Sequence, residues 1–231
     1  MSLRHFLQST RLGLNLFITQ ALFFVFCGII MATVPMNLPY AVGADASTWI
    51  MPAKSLLLHK DYVVYDHPEY DYLYRPPIVP VFNAFFLWLG GEYGIKTIIM
   101  AQIVLVSVTS LLIAEVVDKI QKGTGWVAMI LFLANPNTLS SALLIQSETV
   151  FVFLLTFSAY ALLQYADTNR WRDIIISSSM LAIATLARPT AQYLIVLFPF
   201  ACCSIDDINY AFCFIFSFIK GAILFTSSNL S

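Results

Sequence analysis

From Leu12 to Val34 no residue carries a charge. A helix needs about 20 predominantly apolar residues to cross the hydrocarbon core of a bilayer, and this stretch supplies them. Further apolar runs follow at 76–91, 95–117, 125–134, 143–166, 174–187, 189–203 and 210–226. The composition agrees: 59% of the 231 residues are hydrophobic and 11% are charged, with a mean hydropathy of +0.80. Ordinary soluble domains carry about 25% charged residues. A water-soluble globule must cover its surface with polar groups, and this chain has too few, which excludes a soluble enzyme, a disordered tail and a coiled coil. Lys+Arg is 12 against Asp+Glu at 13, for a net charge of -1. No basic surface is left to neutralise a phosphate backbone, so nucleic acid is excluded as a partner. The sequence predicts an all-α, polytopic helical membrane protein with about 7–8 membrane segments. It reads as one transmembrane domain over 1–231, with 12–34 as the first span, 35–75 as a long exterior loop and 76–226 as the remaining membrane segments.

Arg4 and Arg11 precede the first run as in a signal peptide, but the run is longer than a signal h-region and no small-x-small cleavage site follows. It reads as an uncleaved first span. The four cysteines, Cys27, Cys202, Cys203 and Cys213, lie in apolar runs without CxxC spacing and read as small buried residues. Loop cations orient the chain by the positive-inside rule. Arg4 and Arg11 place the N-terminus in the cytoplasm, and Lys119 with Lys122, then Arg170 with Arg172, mark two further cytoplasmic connectors. The 35–75 loop, the Asn135–Glu148 region and the Arg188-Pro189 connector then lie outside. With that parity the run 76–91 begins and ends outside. It is short, opens on Pro76-Pro77 and carries Pro80 and Gly90-Gly91, which suits a re-entrant or steeply tilted helix, a true span being the alternative.

The exterior loop holds five acids, Asp45, Asp61, Asp66, Glu69 and Asp71, against Lys54, Lys60 and Arg75. Within it Trp49, Ile50, Ala53, Leu56 and Leu57 recur near helical spacing and predict an amphipathic helix over 46–58 lying on the membrane surface. Tyr62, Tyr65, Tyr70, Tyr72 and Tyr74 follow, either as an interfacial aromatic belt or as a platform for a sugar or lipid headgroup.

Several residues in this frame could carry chemistry. Asp45 stands between the first span and the surface helix, where a carboxylate can take a proton at the membrane boundary or simply complement a helix N-terminus. Arg75, after Tyr74 and before Pro76, sits where the loop meets the membrane; a guanidinium there suits bidentate phosphate contact or snorkelling. Glu148 opens a long apolar run, where a carboxylate is costly unless paired or functional. Gln102 is a polar residue within a span, suited to an interhelical hydrogen bond. Arg188 interrupts apolar sequence from 174 to 203, and Pro189 beside it frees backbone groups that need partners. A turn facing a water-filled, anion-holding cavity satisfies both. No P-loop, GxGxxG, HExxH or nucleophile elbow is present. No cofactor is implied, and His67, in DHPEYD, is the one place where a divalent metal could be held.

Taken in order, these features resemble the C-type, polyprenyl-phosphate-sugar-dependent membrane glycosyltransferases, in particular the family 39, dolichyl-phosphate-mannose-protein mannosyltransferase-like group. The matching pieces are the acid after the first span (Gly43-Ala44-Asp45), the A-x-x-L-L pattern of Ala53 to Leu57, the RPP-x-x-P entry of Arg75 to Pro80, and Gln102. Then come the ANP break at Ala134 to Pro136, the SE-x-x-F segment of Ser147 to Phe151, and the L-x-RP turn of Leu186 to Pro189. The resemblance implies an inverting sugar transfer from a polyprenyl-phosphate donor to an acceptor hydroxyl on a lipid, protein or glycan, at the extracytoplasmic face. It makes Asp45 the general base and Arg75 and Arg188 the phosphate-binding cations. Glu148, Gln102 and Tyr74 become the groups that position the acceptor or pair with those cations. The expected location is an integral, multi-pass position among membrane lipids, in the cell (inner) membrane for a bacterial source. Two departures stand out: Asp45 is followed by Ala46-Ser47 instead of a second acid, and family members are roughly twice as long, so the chain reads as an N-terminal portion. The competing classes are a transporter or flippase-like subunit and a non-catalytic truncated remnant. No internal repeat of the transporter kind is visible, and the acids crowd an outer loop instead of mid-span positions.

Overall fold

The computed structural model describes residues 3–33, 46–60 and 76–188, the side chains of residues 3–12 excepted. Among the described residues there are eight α-helices and no strand: α1 (Leu3–Thr33), α2 (Ala46–Leu58), α3 (Ile78–Gly90), α4 (Gly94–Ile120), α5 (Gly125–Leu133), α6 (Pro136–Leu143), α7 (Glu148–Thr168) and α8 (Trp171–Ala187). A helix satisfies its own backbone hydrogen bonds, which is why an apolar chain of this kind takes no other regular form in lipid.

α4 is the hub, in contact with α1, α3, α5, α6 and α7. Its buried set includes Ile98, Ile99, Gln102, Ile103, Val106, Ser107 and Ser110, one broad face of about half its circumference, while Met100, Val104, Val108 and Leu111 face outward. α1 is the opposite case. Phe23 and Cys27 are buried and Leu16 and Met31 are partly packed, while Leu14, Phe17, Leu22, Val25 and Ile29 face outward. That is a narrow seam on one side and a lipid-ready surface on the other. The seam carries a polar knot: Gln20 Nε2 donates to Ser110 Oγ at 2.6 Å, and Ser107 Oγ donates to Gln20 Oε1. Within hydrocarbon such amide–hydroxyl contacts hold helices together where apolar contact alone confers no preference over lipid.

Between Ile78 and Ile120 the apolar helical stretch is 43 residues long, about 65 Å if straight, twice what a bilayer core of about 30 Å requires. It breaks at a 3-10 turn, Gly91–Tyr93, where Gly91 takes φ 51°. A Cβ added at Gly94 would lie 3.0 Å from the Leu87 Cα. Residues seven apart in a straight helix are about 10 Å apart, so the chain folds back here and α3 packs beside α4. With 13 residues α3 is about 20 Å long, too short to cross the core. α2 forms where the sequence predicts it, but its Trp49, Ile50 and Ala53 are buried as it packs on α3, and Asn83 of α3 donates to the Trp49 carbonyl at 3.4 Å. Of its apolar residues only Leu57 and Leu58, at its end, remain exposed. The apolar face expected to meet the membrane thus meets protein along most of its length.

Three helices among the described residues are long and apolar enough to span a membrane, four if α5 and α6, bent by 62° at Ala134-Asn135, form one broken span. α8, at 17 residues, is about 25 Å long. The runs 189–203 and 210–226, which complete the expected 7–8 segments, lie outside the described residues. The run 143–166 divides differently from expectation. Asn135 Oδ1 accepts from the Asn137 amide at 2.9 Å and Pro136 fills the first helical position, so the Ser-rich stretch to Leu143 becomes α6, and α7 begins only at Glu148.

Candidate active site

α7 and α8 form a tight antiparallel hairpin. Asn169, in the left-handed conformation with φ 54°, closes α7, and Arg170 opens α8. Halfway along, the Ser158 hydroxyl donates to the Ser177 carbonyl at 2.8 Å and the Ser177 hydroxyl returns a bond to the Ser158 carbonyl at 2.7 Å. Such crossed bonds require the two backbones to approach closely, and small residues permit it. α8 stops at Ala187 because Arg188 precedes Pro189, and the residue before proline is driven from helical to extended geometry; Arg188 has φ -149° and ψ 121°.

The hairpin therefore brings the first residue of α7 and the residue closing α8 to the same end. Arg188 Nη1 donates to Glu148 Oε1 at 2.8 Å. The pair is mostly enclosed, with 18% of the arginine and 22% of the glutamate side chain exposed. Each charge also sits at the helix end whose dipole favours it, the acid at an N-terminus and the cation at a C-terminus. Glu148 Oε2 accepts a long contact of 3.4 Å from the Ser147 hydroxyl. Among the described residues the Arg188 guanidinium has no other partner, so most of its five N–H donors are uncommitted.

α4 closes in beside this pair. Gln102, 1% exposed, donates through Nε2 to the Gln146 carbonyl at 3.4 Å, two residues before Glu148. Its Oε1 is buried and, among the described residues, has no hydrogen-bond partner. A buried acceptor left unpaired costs on the order of 1–3 kcal/mol. Thr149 Oγ1 donates to the Ser141 carbonyl at 2.6 Å, tying the start of α7 to α6. Of the residues singled out in the sequence, the structure thus brings Glu148 and Arg188 into contact and sets Gln102 beside the segment that leads into Glu148. Asp45, Tyr74, Arg75, His67 and the other loop tyrosines lie outside the described residues. Among the described residues no three His, Cys, Asp or Glu side chains gather into a set that could hold a metal.

Sequence reasoning used Lys119 only to orient the chain and missed the contacts made at that end of the same helices. Asp118 Oδ1 accepts from the amides of Gly123 and Gly125 at 3.1 and 2.7 Å, and Lys119 pairs with Asp167 at 2.7 Å. Tyr160 donates to Glu115 at 3.1 Å and accepts from Gln164 at 2.6 Å. It also missed the partners of Gln20, whose only signal is an amide inside an apolar run.

Residues 74–225, about two thirds of the chain, match the family model described as dolichyl-phosphate-mannose-protein mannosyltransferase. The chain belongs to that family. The matched segment takes in Gln102, Glu148 and Arg188, and all of α3 to α8; Asp45 and α2 precede it. No curated protein and no solved structure matches the chain. Membership of the mannosyltransferase family, together with helices long and apolar enough to cross a bilayer, makes this an integral membrane glycosyltransferase of the mannosyltransferase type.

Proposed function

We propose that the protein transfers a sugar from a polyprenyl-phosphate donor to an acceptor hydroxyl, with inversion, at the extracytoplasmic face of the membrane. The acceptor oxygen attacks the anomeric carbon, the bond from that carbon to the phosphate oxygen breaks, and the hydroxyl proton passes to the carboxylate of Asp45. The polyprenyl phosphate leaves with the bonding pair. Such a displacement needs a base on the acceptor side and a cation on the leaving phosphate. Arg75 and Arg188 are the cations in this reading, and Glu148, Gln102 and Tyr74 position the acceptor.

The observation that carries the reading is the Arg188–Glu148 pair inside the family-matched segment. An arginine enclosed among apolar helices is expensive, and this one commits a single Nη1 contact to its carboxylate partner. A phosphate offers it the two-point contact for which a guanidinium fork is shaped. The Lys/Arg bias supports the extracytoplasmic side: Lys119, Lys122, Arg170 and Arg172 stand at the end of the helices opposite Arg188, and loops with an excess of Lys and Arg favour the cytoplasm.

Asp45→Asn tests the reading, because it keeps the side-chain shape and removes the basic oxygen. Transfer of labelled sugar from a polyprenyl-phosphate donor in membranes should fall by about 10²–10⁴-fold, with the amount of protein unchanged. Wild-type turnover by this variant would leave Asp45 as a helix-terminal acid and bring the mechanism down.

A further inference from the structure

We infer that Glu148 is an internal stand-in for the donor phosphate: it holds Arg188 in the empty site and is displaced when a polyprenyl phosphate arrives. The inference rests on the reading of Arg188 as a phosphate cation and adds to it an exchange of anions. Three observations carry it. The contact between the two side chains is one hydrogen bond, from Nη1 to Oε1 at 2.8 Å, and not the two-point fork that guanidinium and carboxylate form at full strength. The rest of the guanidinium has no partner among the described residues, so a phosphate can engage it before the glutamate has left. Lastly, Glu148 has a second place to go. It occupies the first turn of α7, whose N-terminal residue Ser147 makes no side-chain cap, so the amide groups there are open to an anion.

Charge makes the exchange obligatory once a phosphate binds. Two anions on one guanidinium, in surroundings that screen poorly, repel each other strongly. The phosphate has the better geometry for the fork, and the carboxylate has the alternative partner. Displaced toward the α7 terminus, Glu148 stays next to Ser147 and the segment bonded by Gln102, on the side where an acceptor would be held. Glu148 is thus a positioning residue whose removal changes donor affinity in the direction opposite to that of a phosphate ligand. A residue that only braced the fold, or only bound the donor, would weaken binding when removed.

The test is equilibrium binding of labelled polyprenyl phosphate to the full chain in lipid nanodiscs, with inorganic phosphate titrated in parallel. Glu148→Gln should bind the polyprenyl phosphate more tightly than the wild type, on the order of tenfold, the scale of one competing charge-assisted hydrogen bond. Arg188→Gln should lose most binding. Glu148→Asp, which keeps the charge and shortens its reach, should fall between wild type and Glu148→Gln, and it carries the test if the amide variant folds poorly. Tightening with the lipid phosphate alone assigns the site to a lipid headgroup; tightening with both probes assigns it to the phosphate oxyanion in general, and the exchange stands in either case. Equal or weaker binding by both Glu148 variants, with binding lost in Arg188→Gln, overturns the exchange alone. Binding undiminished in Arg188→Gln overturns the phosphate reading of Arg188 and the exchange with it.

Discussion

The two ends of the α4–α7–α8 group are built from similar residues and finished in opposite ways. At the end holding Glu115, Asp118, Lys119, Asp167 and Asp173, each of these side chains has a partner within the fold. Asp118 receives two backbone amides, Lys119 holds Asp167 and lies over the Tyr160 ring, Glu115 receives the Tyr160 hydroxyl, and Asp173 receives that of Thr168 at 2.8 Å. At the other end, among the described residues, Arg188 makes one contact, to Glu148, and the Oε1 of Gln102 has no partner. Satisfied polar groups fasten helices; groups with spare capacity in an enclosed place are held ready for something else. The comparison teaches that charge near a membrane boundary is not by itself a mark of function, and that the unspent hydrogen-bonding capacity is the more telling quantity.

The sharpest way to break the comparison is Arg188→Lys. The charge stays and the planar fork is lost, so sugar transfer should drop on the order of tenfold or more while the melting temperature barely moves. A fall in melting temperature with transfer intact would make this end a fastening like the other. Next comes Gly125→Ala. A Cβ at Gly125 would lie 2.2 Å from the Ala114 carbonyl oxygen, so α5 must move away from α4 at a cost of about 1–3 kcal/mol. Thermal unfolding in detergent should show that loss, with activity per folded molecule retained. Asp118→Ala removes the acceptor for the Gly123 and Gly125 amides and should cost about 1 kcal/mol by the same measurement. The smallest effect belongs to Lys119→Met: its Asp167 partner is 53% exposed, and pairs of that kind contribute about 0.2–1 kcal/mol, an amount that high salt should erase.

Much of this was legible in the sequence because hydrocarbon leaves few choices. Long apolar runs had to become helices, and α1, α4 and α7 overlap the runs 12–34, 95–117 and 143–166. Glu148 and Arg188 could be singled out because a charge beside apolar sequence demands a reason. That they meet each other is a matter of hairpin geometry, which follows from the turn at Asn169 and not from either residue. Side-by-side choices were hidden for the same cause. Gln20 finds Ser107 and Ser110 only because α1 lies against α4, and nothing local to Gln20 states that. α2 shows the limit of periodicity: the apolar face was readable, but lipid and α3 are equally apolar, so the pattern could not say which one it would meet.

The crossed serine bonds between α7 and α8 have a consequence for tolerance. Ser158 is ten residues from Glu148 and Ser177 eleven from Arg188, a rise of roughly 15 Å on each helix. A slip of one helix along the other by a single residue, about 1.5 Å, would break both hydroxyl–carbonyl bonds and carry Nη1 out of reach of Oε1. The crossing lies in the middle of the hairpin, where both serines are buried, so it works as a registration pin. The axial offset of the two charges is set there, far from the solvent and lipid headgroups that would otherwise blur it.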